Sequence, residues 1–258
     1  MTAPHRRLLR VAIAGCALVV VIALCTRIGG IRPALVARAG LLGLIGSVVI
    51  PLAMVGRGFA RAWLARRRIA EIGAVPSDTL DELTRLLGIP SVVCLDSRSP
   101  VAVCAGAWWP VVFVSRGLVG SLTRDELAAV LLHEHAHRRR RDPLRRALRH
   151  QWARAMFFIP LAAWWDERAR TSEEIAADAV AVRRCGPRPV ARALLIAGGG
   201  SPGLVAAFGG SPTVRIRKLA GDSVSLGVPS LLTCLQSAAG AGLLLTPLLC
   251  FAGFPSGL

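Results

Sequence analysis

The run Leu122–Arg139 carries His133-Glu134-His135-Ala136-His137, an HExxH pattern on a stretch that reads as helix. Thr123 can cap the first turn, with Glu126, three residues on, closing a capping box. No Gly or Pro interrupts the run as far as Arg141, so several turns are expected. Positions four apart share a helix face, so His133 and His137 can offer two imidazoles to one Zn²⁺. Glu134 lies one step round, close enough to take a proton from a water at that ion. Leu127 to Leu132, just before the motif, is apolar on every face, which implies a buried helix. With five His and seven Glu in the chain, HExxH arises by chance roughly three times in a thousand, so an unrelated pair of histidines is the lesser reading. His135 points away from the His133/His137 face and is not expected to be a ligand.

The 258 residues leave room for one or two domains. An apolar content of 53% and a mean hydropathy of +0.54 point to membrane segments. The net charge of +17 is almost wholly arginine, Lys218 being the only lysine. Nucleic-acid binding is one use of such basicity, but the chain has no Tyr and lacks aromatic interleaving. Arginines at the ends of apolar runs suit anionic headgroups and the fixing of topology instead. The seven cysteines form no CxxC pair, which favours reduced thiols. Cys94 and Cys104 could be neighbours on adjacent strands.

Along the chain, a basic start precedes the apolar run Val11–Cys25, and a second run, Ala39–Val55, follows closely. A signal peptide would need a small-x-small cleavage site, and none follows directly after the first run. The two runs therefore read as a membrane hairpin, each near the lower end of the ~17–25 residues needed to span. Arg57, Arg61, Arg66, Arg67 and Arg68 come next and place this end in the cytoplasm. A helix is expected over 61–75 and a second one from Ser77 or Asp78 to Leu87. Three short strands follow at Val92–Leu95, Val101–Ala105 and Val111–Ser115, and an edge strand there could hold an extended peptide. Beyond the HExxH helix, Arg145–Trp165 turns from basic to apolar and reads as interfacial or re-entrant. A charged helix over 166–184, capped by Thr171 or Ser172, is followed by a short helix at Val190–Ala197. The last apolar run is Val228–Phe251, with no basic residue after it.

A catalytic zinc needs a third protein ligand. The acids available are Asp142, Asp166, Glu167, Glu173, Glu174 and Asp178. Glu174-Ile-Ala-Ala-Asp178 stands out, because an i,i+4 pair can put one carboxylate on the metal and the other behind a ligating imidazole. A lone acid on a helix is more often merely solvated.

Four segments together resemble a known family: Arg116-Gly-Leu-Val, Glu126 to His137, Arg140-Arg-Asp-Pro-Leu144 and Glu174 to Asp178. They are similar to the integral-membrane zinc metallopeptidases of the beta-lactam sensor-transducer (BlaR/MecR) type, and more distantly to the HtpX and Ste24 proteases. The likeness covers about Val101 to Lys218. It implies that His133, His137 and Glu174 bind zinc, that Glu134 is the general base, and that Asp178 supports a ligand from behind. Family substrates are often transcriptional repressors. The sensor-transducers carry a penicillin-binding domain after their last membrane segment, whereas this sequence ends at Leu258, so a peptidase without that sensor is expected. Sharing one zinc also requires residues 145–165 to begin and end on one side of the bilayer, giving an odd number of spans.

The expected fold is thus a membrane protein, mainly α with a small β-sheet, with a zincin-like domain between transmembrane helices. Residues 1–56 form the hairpin, and 57–225 form a peptidase domain on the cytoplasmic side, with the apolar segment 152–165 inside it. Residues 226–258 form the last transmembrane helix. The expected activity is zinc-dependent endoproteolysis of a protein or peptide substrate, such as a repressor, at the cell membrane and without direct nucleic-acid binding. The rival is a non-proteolytic membrane signalling protein whose zinc is structural. His150 is a candidate for stabilising the oxyanion, although a lone His on a basic helix is more often just solvated.

Overall fold

The computed structural model describes residues 33–90, 92–199 and 212–252. It is mainly helical with one three-stranded sheet, as expected. The first apolar run, Val11–Cys25, and part of the Gly/Pro-rich stretch before Pro212 lie outside the described residues. Two compact units emerge: one from the segments 1–55, 151–164 and 228–258, the other from 56–150 and 165–227.

Helix α1 (Pro33–Ala70) is one unbroken helix of 38 residues. The separate helix expected over 61–75 is instead the last part of α1 and stops at Ala70, residues 71–75 leaving it for a turn and the Ala74 bridge; Pro51 lies within the helix. In the first unit, the segment 151–164 meets α9 (Leu231–Ala252): the Leu161 amide donates to Ser237 Oγ at 2.9 Å. Gly240 lets the backbones approach, since a Cβ there would sit 2.3 Å from Phe158 O. The apolar run 39–55 falls on α1, and the run 228–251 falls on α9 from Leu231 onward. Among the described residues, no helix is long and apolar enough to cross a membrane.

The second unit holds the sheet. Helix α2 (Asp78–Leu87) starts where Ser77 Oγ accepts from Leu80 N and stops at Gly88 in the left-handed region. Strands β1 (Val92–Leu95), β2 (Ala102–Ala105) and β3 (Val111–Ser115) pair in the order β1-β3-β2, with β1 parallel and β2 antiparallel to β3. The central position of β3 overturns the idea that Cys94 and Cys104 are neighbours. They pair instead with Val114 and Val112, on opposite sides of β3, and both thiols are free. The outer side of β1 is partly covered by a bridge from Ala74. Among the described residues, no strand pairs with the outer side of β2.

Helix α3 (Arg116–Ser121) follows β3 directly, and Ser115 Oγ accepts from both Leu118 N and Val101 N. Then comes α4 (Arg124–Arg140), which packs on β2, β3, α2 and α7 (Pro187–Gly199). Its Leu127, Ala129 and Leu131 join Val112, Val114 and Leu118 in one core. Burial on nearly every side of its Leu127–Leu132 stretch explains why that part is apolar all round.

Two helix boundaries differ from expectation. Helix α5 (Asp142–Ala155) begins immediately after α4, and α6 (Pro160–Cys185) begins eleven residues before Thr171, so neither Thr171 nor Ser172 is a cap. Thr171 Oγ1 instead donates to Glu167 O inside the helix. Pro160 explains the earlier start, because proline suits the first turn of a helix. A short helix α8 (Pro212–Leu219) completes the unit.

One close approach shapes the rim of the site. A Cβ at Gly117 would sit 2.0 Å from Arg98 O, and the Gly117 amide donates to Ser97 O. The obstacle is backbone and cannot swing aside. Gly117→Ala is therefore expected to cost about 1–3 kcal/mol by overpacking, read as a lowered denaturation midpoint of the purified chain. An unchanged midpoint would show that the 97–101 loop gives way freely.

Candidate metal centre

Helix α4 is pinned at both ends, which fixes the direction of its inward face. Thr123 N donates to Glu126 Oε2 at 2.9 Å while Thr123 Oγ1 accepts from Glu126 N, the expected capping box. At the other end Arg141 adopts φ 54°, and its amide donates to Arg138 O and His137 O. A non-glycine residue in this left-handed region is uncommon. The turn it makes starts α5 at once and folds Asp142 back beneath His137.

His133, Glu134 and His137 are all buried. The rings of His133 and His137 meet edge to face, with their Nε2 atoms 3.1 Å apart. Glu174, on α6 and 1% exposed, brings Oε2 to 3.3 Å from His133 Nε2 and Oε1 to 3.4 Å from His137 Nε2. These ligand atoms all lie within 4.8 Å of one another, so the three residues could hold one metal ion. Tetrahedral ligands about 2.0–2.1 Å from zinc stand about 3.3 Å apart, close to the gap between the two Nε2 atoms and to the gap from each of them to its nearer Glu174 oxygen.

The far sides of the two rings explain their aim. His133 Nδ1 lies 2.9 Å from Asp178 Oδ1, and His137 Nδ1 lies 2.7 Å from Asp142 Oδ2. An ionised carboxylate only accepts, so each Nδ1 carries the proton of that bond. Both Nε2 lone pairs then converge with a carboxylate on one spot, which is repulsive unless positive charge sits between them. Glu174 Oε2 is buried and accepts no well-formed hydrogen bond. The donor set therefore fits a divalent cation, with Asp178 and Asp142 orienting the imidazoles from behind.

The remaining acids have other partners. Glu173 accepts from Arg146 and Arg149, and Asp166 from Arg149 and Arg170. Asp142 is brought to the site as a support for a ring, and Glu167 is not in the three-residue group. His150 is not in the three-residue group either: Arg170 Nη2 donates to its Nδ1 at 2.8 Å, and Asp166 Oδ2 is 3.1 Å from the same nitrogen.

Two arginines without a sequence signal complete the surroundings. Arg215, 4% exposed on α8, donates to both oxygens of Asp178 at 2.7 and 2.8 Å and places Nη1 3.1 Å from Glu174 Oε2. Arg146 on α5 donates to Glu174 Oε1 at 2.5 Å. Among thirty-one arginines, nothing local distinguishes a buried one. A bidentate guanidinium–carboxylate pair is the strong form of this contact.

The charges tune one another. Burial opposes protonation of His133, but Asp178 and Glu174 outweigh it and push its pKa up to about 9. His137 rises too, against its burial, through Asp142 and Glu174. Burial would raise Glu174, yet the two imidazoles hold it well below the usual carboxylate range. Asp178 is likewise lowered against its burial, by Arg215 and His133. A metal ion would replace the positive charge that these rings otherwise carry as protons.

Glu134, though buried, borders two cavities. It lines a cavity of about 350 Å³ with Val103, Cys104, His137, Arg146 and Glu174, and a smaller one of about 40 Å³ with His133, Asp178 and Arg215. Ala102 of β2 lines both, so the open edge of the sheet runs beside the acid. Burial pushes the Cys104 thiol up to about 12, helped by Glu134, so it is protonated and inert.

Residues 42–212 match the family model described as BlaR1 peptidase M56. The chain belongs to this peptidase family. The matched span contains both the HExxH helix and Glu174, which makes the BlaR/MecR resemblance a membership. With it comes metal-dependent, peptidase-type function, and the His-His-Glu group is where a metal would sit. Arg215 lies just past the matched span, on a helix that still reaches this BlaR1-type site.

Arg215→Met would leave Asp178 buried beside one fewer cation. The expected cost is about 3–5 kcal/mol in stability, with a roughly 10–100-fold loss of metal affinity through His133. A metal titration of the folded variant checks this, and unchanged affinity would remove Arg215 from the support of the site.

Proposed function

We propose that this protein is a zinc-dependent, membrane-bound endopeptidase of the gluzincin type. His133, His137 and Glu174 are its ligands, Glu134 is its general base, and Asp178 orients His133. The observation that carries the reading is the convergence of the three ligand atoms within 4.8 Å, next to a cavity lined by Glu134. A zinc ion there would polarise the scissile carbonyl and bring the pKa of water down to about 7. A closed structural site would need a fourth protein ligand, and among the described residues the group has three members.

Glu134 takes the proton of the attacking water and delivers it to the leaving amine. Asp178 and Asp142 hold the rings in one tautomer, so the ligand nitrogens keep their lone pairs inward. The substrate lies extended along β2, whose unpaired edge offers main-chain hydrogen bonds beside Glu134. This suits a protein substrate with an exposed or unfolded segment, such as a repressor or a membrane protein cut in regulatory proteolysis.

The bilayer enters through the sequence. Runs at 11–25, 39–55 and 228–251 flanked by arginine support a multi-pass protein of the cell membrane. On this reading 57–225 is the peptidase domain on the cytoplasmic side, and 152–165 touches the interface.

The test is a paired assay on purified protein, using a peptide library and metal analysis. Glu134→Gln should keep the metal and lose about 10²–10⁴-fold in cleavage, whereas Glu174→Ala should lose metal. Full cleavage by Glu134→Gln would remove Glu134 from the mechanism. Undiminished metal in Glu174→Ala would leave the third ligand to another acid.

A further inference from the structure

A second surface of the peptidase unit has no place in the catalytic cleft. The β2–β3 turn presents Trp108 and Trp109, 59% and 77% exposed, which no folding energy asks of two tryptophans. The turn is stiff. Gly106 has φ 110°, and a Cβ there would meet Trp109 O at 2.7 Å, while Pro110 closes the turn. Trp108 is further held by stacking on Phe59 of α1, with ring centroids 6.0 Å apart. One helical turn beyond Phe59, Trp63 is 57% exposed, with the Arg67 guanidinium 4.9 Å over its ring.

Beside the turn runs a shallow groove floored by the end of α4. It is lined by Trp108, Trp109, His135, Arg138, Arg139 and Arg141, with Pro90, Pro110 and Val111, and no Asp or Glu. The Nδ1 of His135 in this groove is buried and without a hydrogen-bond partner. The groove thus pairs arginine forks with amphipathic rings, the chemistry of a surface meeting phosphates on one side and hydrocarbon on the other.

We propose that this Trp/Arg surface docks on the headgroup layer of an anionic bilayer, with Trp108 and Trp109 at the level of the glycerol backbone and the arginines on lipid phosphates. The position in the chain agrees. Phe59 comes four residues after Val55, the end of the apolar run, on the same unbroken helix, and four residues rise about 6 Å. Tryptophan is favoured at that depth, and arginine is drawn to anionic headgroups. The surface would hold the peptidase unit against the membrane. This rests on the membrane reading proposed above.

The test uses the full chain reconstituted into vesicles of phosphatidylcholine, with or without phosphatidylglycerol, carrying brominated acyl chains. Flotation is scored first. Tryptophan quenching is then compared between wild type and Trp108→Phe/Trp109→Phe, the difference isolating the turn. We expect strong bromolipid quenching of that difference in anionic vesicles. It should be lost in pure phosphatidylcholine, at high salt, and in Arg139→Glu/Arg141→Asn, where Asn tolerates the left-handed backbone at 141. The lipid and salt comparisons need only the wild type, so they stand even if a variant misfolds. A chain that floats with its turn tryptophans unquenched would overturn this proposal alone; a chain that fails to float would overturn the membrane reading with it. Salt-steep binding of single-stranded RNA to the turn, without lipid quenching, would make the surface a nucleic-acid platform instead.

Discussion

Three buried groups that repel one another unless a positive charge lies between them are the constraint on which this structure turns. The Nε2 atoms of His133 and His137 stand 3.1 Å apart and face both oxygens of Glu174. Bringing such groups out of water costs several kcal/mol per ion unless each is paired. The chain meets that cost on the outer side of the cluster, with Asp178 and Asp142 on the rings and Arg215 and Arg146 on the carboxylates. What is left for a ligand is the centre. The apolar core around Leu127, Leu131, Val112 and Leu118 seats α4 against the sheet.

The elements that bear these residues are placed by local chemistry. The capping box fixes the start of α4, and the left-handed turn at Arg141 ends it and folds Asp142 back to His137. The close approach of Gly117 to Arg98 sets the loop between β1 and β2 against α3, and Ser97 and Val101 of that loop line the larger cavity. Helix α6 then supplies Glu174 and Asp178 one turn apart, so one element serves both the metal position and the ring behind it.

Much of this was legible because it is local. The i,i+4 spacing put His133 and His137 on one face, the Thr123/Glu126 pair marked the start of the helix, and Pro and Gly bracketed the three strands. Glu174 and Asp178 showed themselves by the same spacing, and the family likeness singled them out among six acids. What escaped was long-range. Strand order cannot be read from short apolar runs, so nothing local showed that β3 separates Cys94 from Cys104. The early start of α6 was masked because its first turns continue an apolar run. Arg215 and Arg146 are two arginines among thirty-one, and only folding shows which ones meet a carboxylate.

The most direct measurement is zinc K-edge X-ray absorption on the purified, zinc-loaded chain. The account predicts two imidazole nitrogens with carboxylate or water oxygen at about 2.0–2.2 Å and no sulfur shell. A sulfur contribution near about 2.3 Å, or a protein that takes up no metal at all, would contradict it.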